Sequence, residues 1–266
     1  MKITELENPD LHVAKIEMAC DKCIKDKKGV GIAYPLMNTS HFYIISGASG
    51  SGKTNLLVNL LKSNRKTKDK KSKLSYRKMF NKIIFVSPSA HTIDDKIIEK
   101  IPDDQKFTEL NEEVFEMVDE ITEDAVEENE HTLLILDDVS SQLRSRENEK
   151  VLNQVVKNRR HKNLSIWIVG HKITDLAPSL RSNANMIFLF KPKTMKEINA
   201  IQEEYMLMPK KKADEVMSAV FKRGEKHRHD FMLIDTSLRN GNEFLFFRNY
   251  NQLVFEEEEP QSGETK

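Results

Sequence analysis

The chain has 266 residues, with 42 Lys plus Arg against 42 Asp plus Glu. A formal net charge of zero argues against a protein that simply coats nucleic acid, which would be strongly basic, and 38% hydrophobic residues suffice for a core, so wholesale disorder is excluded. No run of about 18 apolar residues predicts a membrane span, and residues 1–10 hold no signal-peptide apolar segment.

Residues 1–40 show no clear period and are read as an N-terminal extension. Within them, Cys20-Asp21-Lys22-Cys23 has C-x₂-C spacing. Zinc would need two more ligands and only His12 is near, so two reduced thiols are expected and no disulfide framework is available. Residues 41–46 (HFYIIS) read as a buried strand that ends in a glycine-rich turn. Residues 53–62 follow as a helix, with Leu56, Leu57, Leu60 and Leu61 on one face. Residues 82–87 (KIIFVS) form a second strand, stopped by Pro88. Residues 112–127 form an amphipathic helix through Val114, Val118, Ile121 and Ala125. Strands over 132–137 (TLLILD), 164–170 (LSIWIVG) and 185–190 (NMIFLF) alternate with helices over 146–158 and 195–205. Apolar strands alternating with helices predict an α/β fold with a mostly parallel central sheet flanked by helices. Residues 231–235 and 243–247 read as a hairpin around Asn240-Gly241, added at a sheet edge. The folded unit is expected over 41–250, with an acidic flexible tail over 251–266.

The neutral total conceals segregation. Residues 62–78 hold nine basic residues and one acid, 94–130 hold sixteen acids and three lysines, and 144–172 are basic by eight to two. Lys210, Lys211 and Lys212 add a further basic run. Such blocks are ordinarily solvated faces or loops, but basic stretches beside a catalytic motif suit a polyanionic partner.

Three of the nine glycines fall at Gly47, Gly50 and Gly52. Gly47-Ala48-Ser49-Gly50-Ser51-Gly52-Lys53-Thr54 satisfies G-x-x-x-x-G-K-[ST], the nucleotide phosphate loop. The glycines let the backbone wrap so that N–H groups meet phosphate oxygens, and the following helix aims its positive end at the same anion. Lys53 is placed to bridge the β- and γ-phosphates, and the Thr54 hydroxyl to hold Mg²⁺. A second Mg²⁺ ligand is expected at the tip of a neighbouring strand, where Leu136-Asp137-Asp138 stands. Asp137 is read as the metal ligand and Asp138 as the group that polarises the attacking water; the alternative is an acid pair that caps a turn. His171 ends the strand 164–170 at the functional edge of a parallel sheet.

In their order, the loop 47–54, the pair Asp137-Asp138, the stretch Arg159-Arg160-His161, the strand ending in His171, and Leu180-Arg181-Ser182-Asn183 resemble the FtsK/HerA superfamily of DNA-pumping ATPases. Within it the chain looks most like the poxvirus-type genome-packaging branch, found in large DNA viruses and virophages; the likeness covers roughly residues 40–192 and continues more weakly to about 250. The resemblance implies a P-loop ATPase that uses ATP and Mg²⁺ to drive double-stranded DNA into a capsid, without sequence preference. It also implies a homo-oligomeric ring, a capsid or portal partner, and a place inside the infected host cell, in the cytoplasm or viral factory, with association to the virion. In that family an arginine eleven residues before the polar sensor reaches into the neighbour's site. Arg160 has that spacing from His171, with Arg159 and Arg181 as alternatives. Two departures stand out: the family usually has Gln at the position of His171, and many members have Glu at that of Asp138.

A small-molecule or nucleotide kinase on the same fold is the competing expectation; it would need an Arg-rich lid. A GTP switch would need D-x-x-G and N-K-x-D, and neither Asp137-Asp138-Val139-Ser140 nor His171-Lys172-Ile173-Thr174 supplies them. After the fifth strand no acidic metal cluster is apparent, which argues against a nuclease.

Overall fold

Short apolar runs too rich in Ile, Leu, Val and Phe to face water on either side form the middle of a ten-stranded sheet. The computed structural model describes residues 2–6, 32, 34–38, 40–62, 65–66, 73–74, 76–91, 93, 95–222, 224–237 and 244–256. In chain order these form β1 (Lys2–Leu6), β2 (Phe42–Ser46), α1 (Lys53–Lys62), β3 (Arg65–Lys66), β4 (Lys73–Leu74), α2 (Tyr76–Met79), β5 (Lys82–Val86) and β6 (Lys106–Phe107). There follow α3 (Glu112–Glu127), β7 (Thr132–Asp137), α4 (Arg146–Asn158), β8 (Leu164–Gly170), α5 (Pro178–Arg181) and β9 (Met186–Phe190). The last elements are α6 (Met195–Tyr205), α7 (Lys210–Val220), β10 (Phe231–Asp235), β11 (Leu245–Arg248) and β12 (Asn251–Glu256).

The sheet order is β1-β12-β11-β10-β9-β2-β8-β7-β5-β6. From β9 to β6 every pairing is parallel, and from β9 back to β1 every pairing is antiparallel. Alternate side chains enter two separate core layers, as the two-residue strand period requires. Ile44, Leu134, Ile166 and Ile187 point to the layer covered by α3, α4, α6 and α7. Tyr43, Ile135, Trp167 and Phe188 point to the layer covered by α1 and α2. In the second layer the Trp167 indole N–H donates to His41 Nε2 at 2.8 Å, so the one polar atom of a buried Trp is satisfied.

The antiparallel half corrects three expectations. The pair β10–β11 is not an edge hairpin, because β12 and β1 continue the sheet beyond it. β12 returns through a tight turn at Asn249, whose φ of 55° is left-handed, so residues 251–256 are strand rather than tail. β1 pairs along the whole length of Lys2–Leu6, so this part of the N-terminal extension belongs to the sheet. The apolar run Leu253-Val254-Phe255 was the available signal, masked by the acids that follow it. Asn240-Gly241, Cys20, Cys23 and residues 257–266 lie outside the described residues. Lys210–Lys212 form the exposed first turn of α7.

One side chain ties the central strand to its surroundings. Asn185 Oδ1 accepts the Phe42 N–H at 2.8 Å and an Arg159 guanidinium N–H at 3.1 Å, while the Asn185 N–H donates to Phe42 O at 2.8 Å. The start of β2, the entry to β9 and the end of α4 thus meet at one buried amide. Asn185→Ala strands the Phe42 N–H and part of the Arg159 guanidinium, and should lower unfolding free energy by about 1–3 kcal/mol in denaturant titration. A loss below about 0.5 kcal/mol would show that the amide is dispensable.

Candidate functional site

The phosphate loop leaves β2 at Ser46 and enters α1 at Lys53. Gly50 and Gly52 have φ of +73° and +110°, a region in which a side chain is strained. Gly47 is needed for space instead: a Cβ there would lie 2.6 Å from Phe190 Cβ. The Gly47 N–H donates to Gly170 O at 3.1 Å and the Ser51 N–H to Ala48 O at 3.1 Å, which fixes the loop against the end of β8. α1 carries no acid in its first turn, so its positive end stays uncompensated toward the loop.

Strand order decides what the loop faces. β8 lies between β2 and β7, so Gly170 and His171 stand between the loop and Asp137-Asp138. A cleft of about 350 Å³ results, lined by Gly50, Gly52, Lys53, Thr54, Asp137, Asp138 and His171 among others. The structure therefore brings Lys53, Thr54, Asp137, Asp138 and His171 together, as the sequence pattern expects. Ser49 also lines the cleft, whereas Gly47, Ala48 and Ser51 shape the loop behind it.

Asp137 is buried, and its pKa is pushed up to about 6. Burial is the main cause and the Asp138 carboxylate adds to it; Lys53, the Ser87 hydroxyl and His171 pull the other way. Lys53 donates to Ala48 O at 3.1 Å. Burial holds its ammonium below the usual lysine value, opposed by the two carboxylates. Asp138 is more exposed and has a left-handed φ of 57°, with its N–H on Val169 O at 3.0 Å. That bend turns its carboxylate to His171 Nε2, 3.0 Å away. Thr54 and Asp137 offer a hydroxyl and a carboxylate in one cleft, the hard oxygen donors that Mg²⁺ selects. A buried carboxylate with a raised pKa also gains most from a nearby cation, so this donor pair fits the metal.

The arginines separate clearly. Arg159 is buried, donates to Val156 O at 2.7 Å as well as to Asn185, and burial with the Arg160 charge lowers its pKa to about 10. Arg181 is buried on Leu176 O and pairs with Glu204. Both guanidinium groups serve the fold. Arg160 is exposed just before β8, at the end of the strand opposite His171, roughly 20 Å away by strand length. Sequence reasoning missed His229, whose ring lines the cleft from a turn almost 180 residues downstream of the loop; neither period nor motif marks it.

Asp138→Asn keeps the local backbone, since Asn tolerates a left-handed φ, and replaces the carboxylate with an amide that cannot take up a proton. Nucleotide affinity should stay within about threefold of wild type, while turnover falls about a hundredfold or more. Retained turnover in purified Asp138→Asn would remove Asp138 from the chemistry.

Among curated proteins, none matches the chain. Solved structures do. The DNA-packaging ATPase B204 from Sulfolobus Turreted Icosahedral Virus shares 16% identity over 79% of this chain and 98% of its own, with a TM-score of 0.54. The genome packaging NTPase B204 from Sulfolobus turreted icosahedral virus 2, in complex with AMPPCP, shares 15% identity over 78% of this chain and 96% of its own, at a TM-score of 0.52. These likenesses establish a P-loop ATPase-type α/β fold. The pattern of the Poxvirus A32 protein family matches residues 33–262, from just before the phosphate loop to beyond β12. The chain belongs to the Poxvirus A32 protein family.

Proposed function

We propose that this protein is an ATP-hydrolysing motor that moves viral double-stranded DNA into a capsid. The observation that carries the reading is Asp138 paired with His171 across the cleft from Lys53 and Thr54. A kinase needs no polarised water, whereas a carboxylate steered by a neighbouring strand is suited to activate one. Family membership and the fold shared with B204 point the same way.

In this reading the loop N–H groups and the α1 terminus bind the phosphates, and Lys53 neutralises charge at the β- and γ-phosphoryl oxygens. Thr54 and Asp137 hold Mg²⁺, which screens phosphate charge when bound. Asp138 accepts a proton from the attacking water, and His171 orients the Asp138 carboxylate. Arg160 stands at the far end of β8 from its own cleft, which supports a role at the cleft of a neighbouring copy in a ring. A guanidinium there would stabilise charge that grows on the γ-phosphoryl group.

DNA is held by phosphate contacts alone. The block 144–172 is less available than its charge implies: Arg144 pairs with Asp175, Lys162 pairs with Asp119, and Arg159 is buried. Arg146, Lys150, Lys157 and Lys172 are exposed, as are Lys210, Lys211 and Lys212. The acids of α3 form an exposed face and suit solvent or a basic partner. Among the described residues no helix is long and apolar enough to cross a membrane. The setting proposed is the infected cell, with a capsid or portal protein as docking partner.

Phosphate release measured with and without duplex DNA tests the motor. Stimulation by DNA, lost as salt rises, is expected; transfer of phosphate to a nucleoside or nucleotide instead would establish the kinase. Arg160→Ala subunits mixed into wild type should depress turnover more than in proportion to their share. A strictly proportional loss, with subunit exchange confirmed, would place Arg160 outside the neighbour's chemistry.

A further inference from the structure

Ser51 sits between the two loop glycines with left-handed φ values, at the point where the loop backbone has most freedom to rotate. Its carbonyl is not left to solvent. His229 Nδ1 lies 2.9 Å from Ser51 O, and a carbonyl only accepts, so Nδ1 carries the proton. The same ring covers Gly52: a Cβ there would lie 3.3 Å from Nδ1 and 3.8 Å from His229 Cβ. A trans peptide is planar, with its C=O and N–H pointing in opposite directions. Holding Ser51 O therefore also fixes the direction of the Gly52 N–H, one of the donors that a phosphate loop aims at its anion.

His229 is itself held by a braced turn. The Asp230 carboxylate accepts Arg248 Nε at 3.1 Å, a second Arg248 N–H at 2.9 Å, and Asn249 Nδ2 at 3.0 Å. Burial pushes the Asp230 carboxyl up, but hydrogen bonds from Asn249, Arg248 and His227 and the Arg248 charge outweigh it and hold its pKa below the usual carboxylate value. The Asn249 side chain in turn accepts the Phe231 N–H at 3.1 Å. The turn is thus tied to the corner between β11 and β12, within the antiparallel half of the sheet.

We infer that His229 is a positioning residue of the nucleotide site, which sets the Ser51–Gly52 peptide for phosphate binding and thereby ties nucleotide affinity to the antiparallel strands. This inference rests on the cleft being the nucleotide site. It goes beyond the motif, because the residue is contributed by a segment the motif does not include.

The test titrates the full chain with a fluorescent ATP analogue, as wild type, His229→Ala and His229→Asn. An Asn amide can donate to the same carbonyl from nearly the same place. His229→Ala should bind the analogue about fivefold to tenfold more weakly, with KM for ATP raised to match and kcat changed much less. His229→Asn should recover most of the affinity, and the melting temperature without nucleotide should not separate the three proteins. The inference is overturned if His229→Ala binds within twofold of wild type, or if His229→Asn binds as weakly as His229→Ala. A wild type that binds the analogue but shows no DNA-stimulated turnover refutes the motor and leaves His229 to be judged by these affinities. A wild type that fails to bind overturns both.

Discussion

A backbone hydrogen bond from Gly47 to the Gly170 carbonyl joins the phosphate loop to the strand beside it. Gly170 is followed by His171, and Val169, one residue earlier, accepts the Asp138 N–H. The end of β8 is therefore the common support of the loop on one side and the acid pair on the other. Side chains from three strands reach one cleft because their backbones are held together at this point. The closeness of Phe190 to Gly47 adds β9 to the same support, so β8 and β9 close on the loop from both sides.

Burial at this junction works on the charges in a consistent way. It lowers the tendency of Lys53 to be protonated and raises that of Asp137, while each group favours the charged form of the other. A half-buried cation and a buried acid balanced like this respond to added phosphate or metal charge, because burial weakens the screening of Asp137 by water. Asp138 lies further out, is more exposed and touches His171.

The parallel half of the fold was legible because buried strands leave unbroken apolar runs and the helices between them keep a clear period. The phosphate loop was legible for a different reason: its glycines and lysine have to be adjacent in sequence. Asp137, Asp138 and His171 could be found because strand ends on one sheet edge converge. The outer strands were not legible. β1 and β12 are short and flanked by charge, and pairing gives them a place, β12 on β11 and β1 on β12. Nor could sequence separate Arg159 and Arg181 from Arg160, since burial and carbonyl partners distinguish them and neither is a property of the local pattern. His229 was hidden for the same reason: its significance comes from an oxygen atom on another part of the chain.

The left-handed backbone at Asp138 bears on which acid can stand there. At a φ of 57° most L-residues suffer contact between Cβ and the next carbonyl, and Asp and Asn are among those least penalised. A glutamate would have one more methylene of reach but would lose the short side chain that makes this turn tolerable. A short acid at this position thus suits the shape of a single turn after β7, where main-chain conformation constrains the side chain.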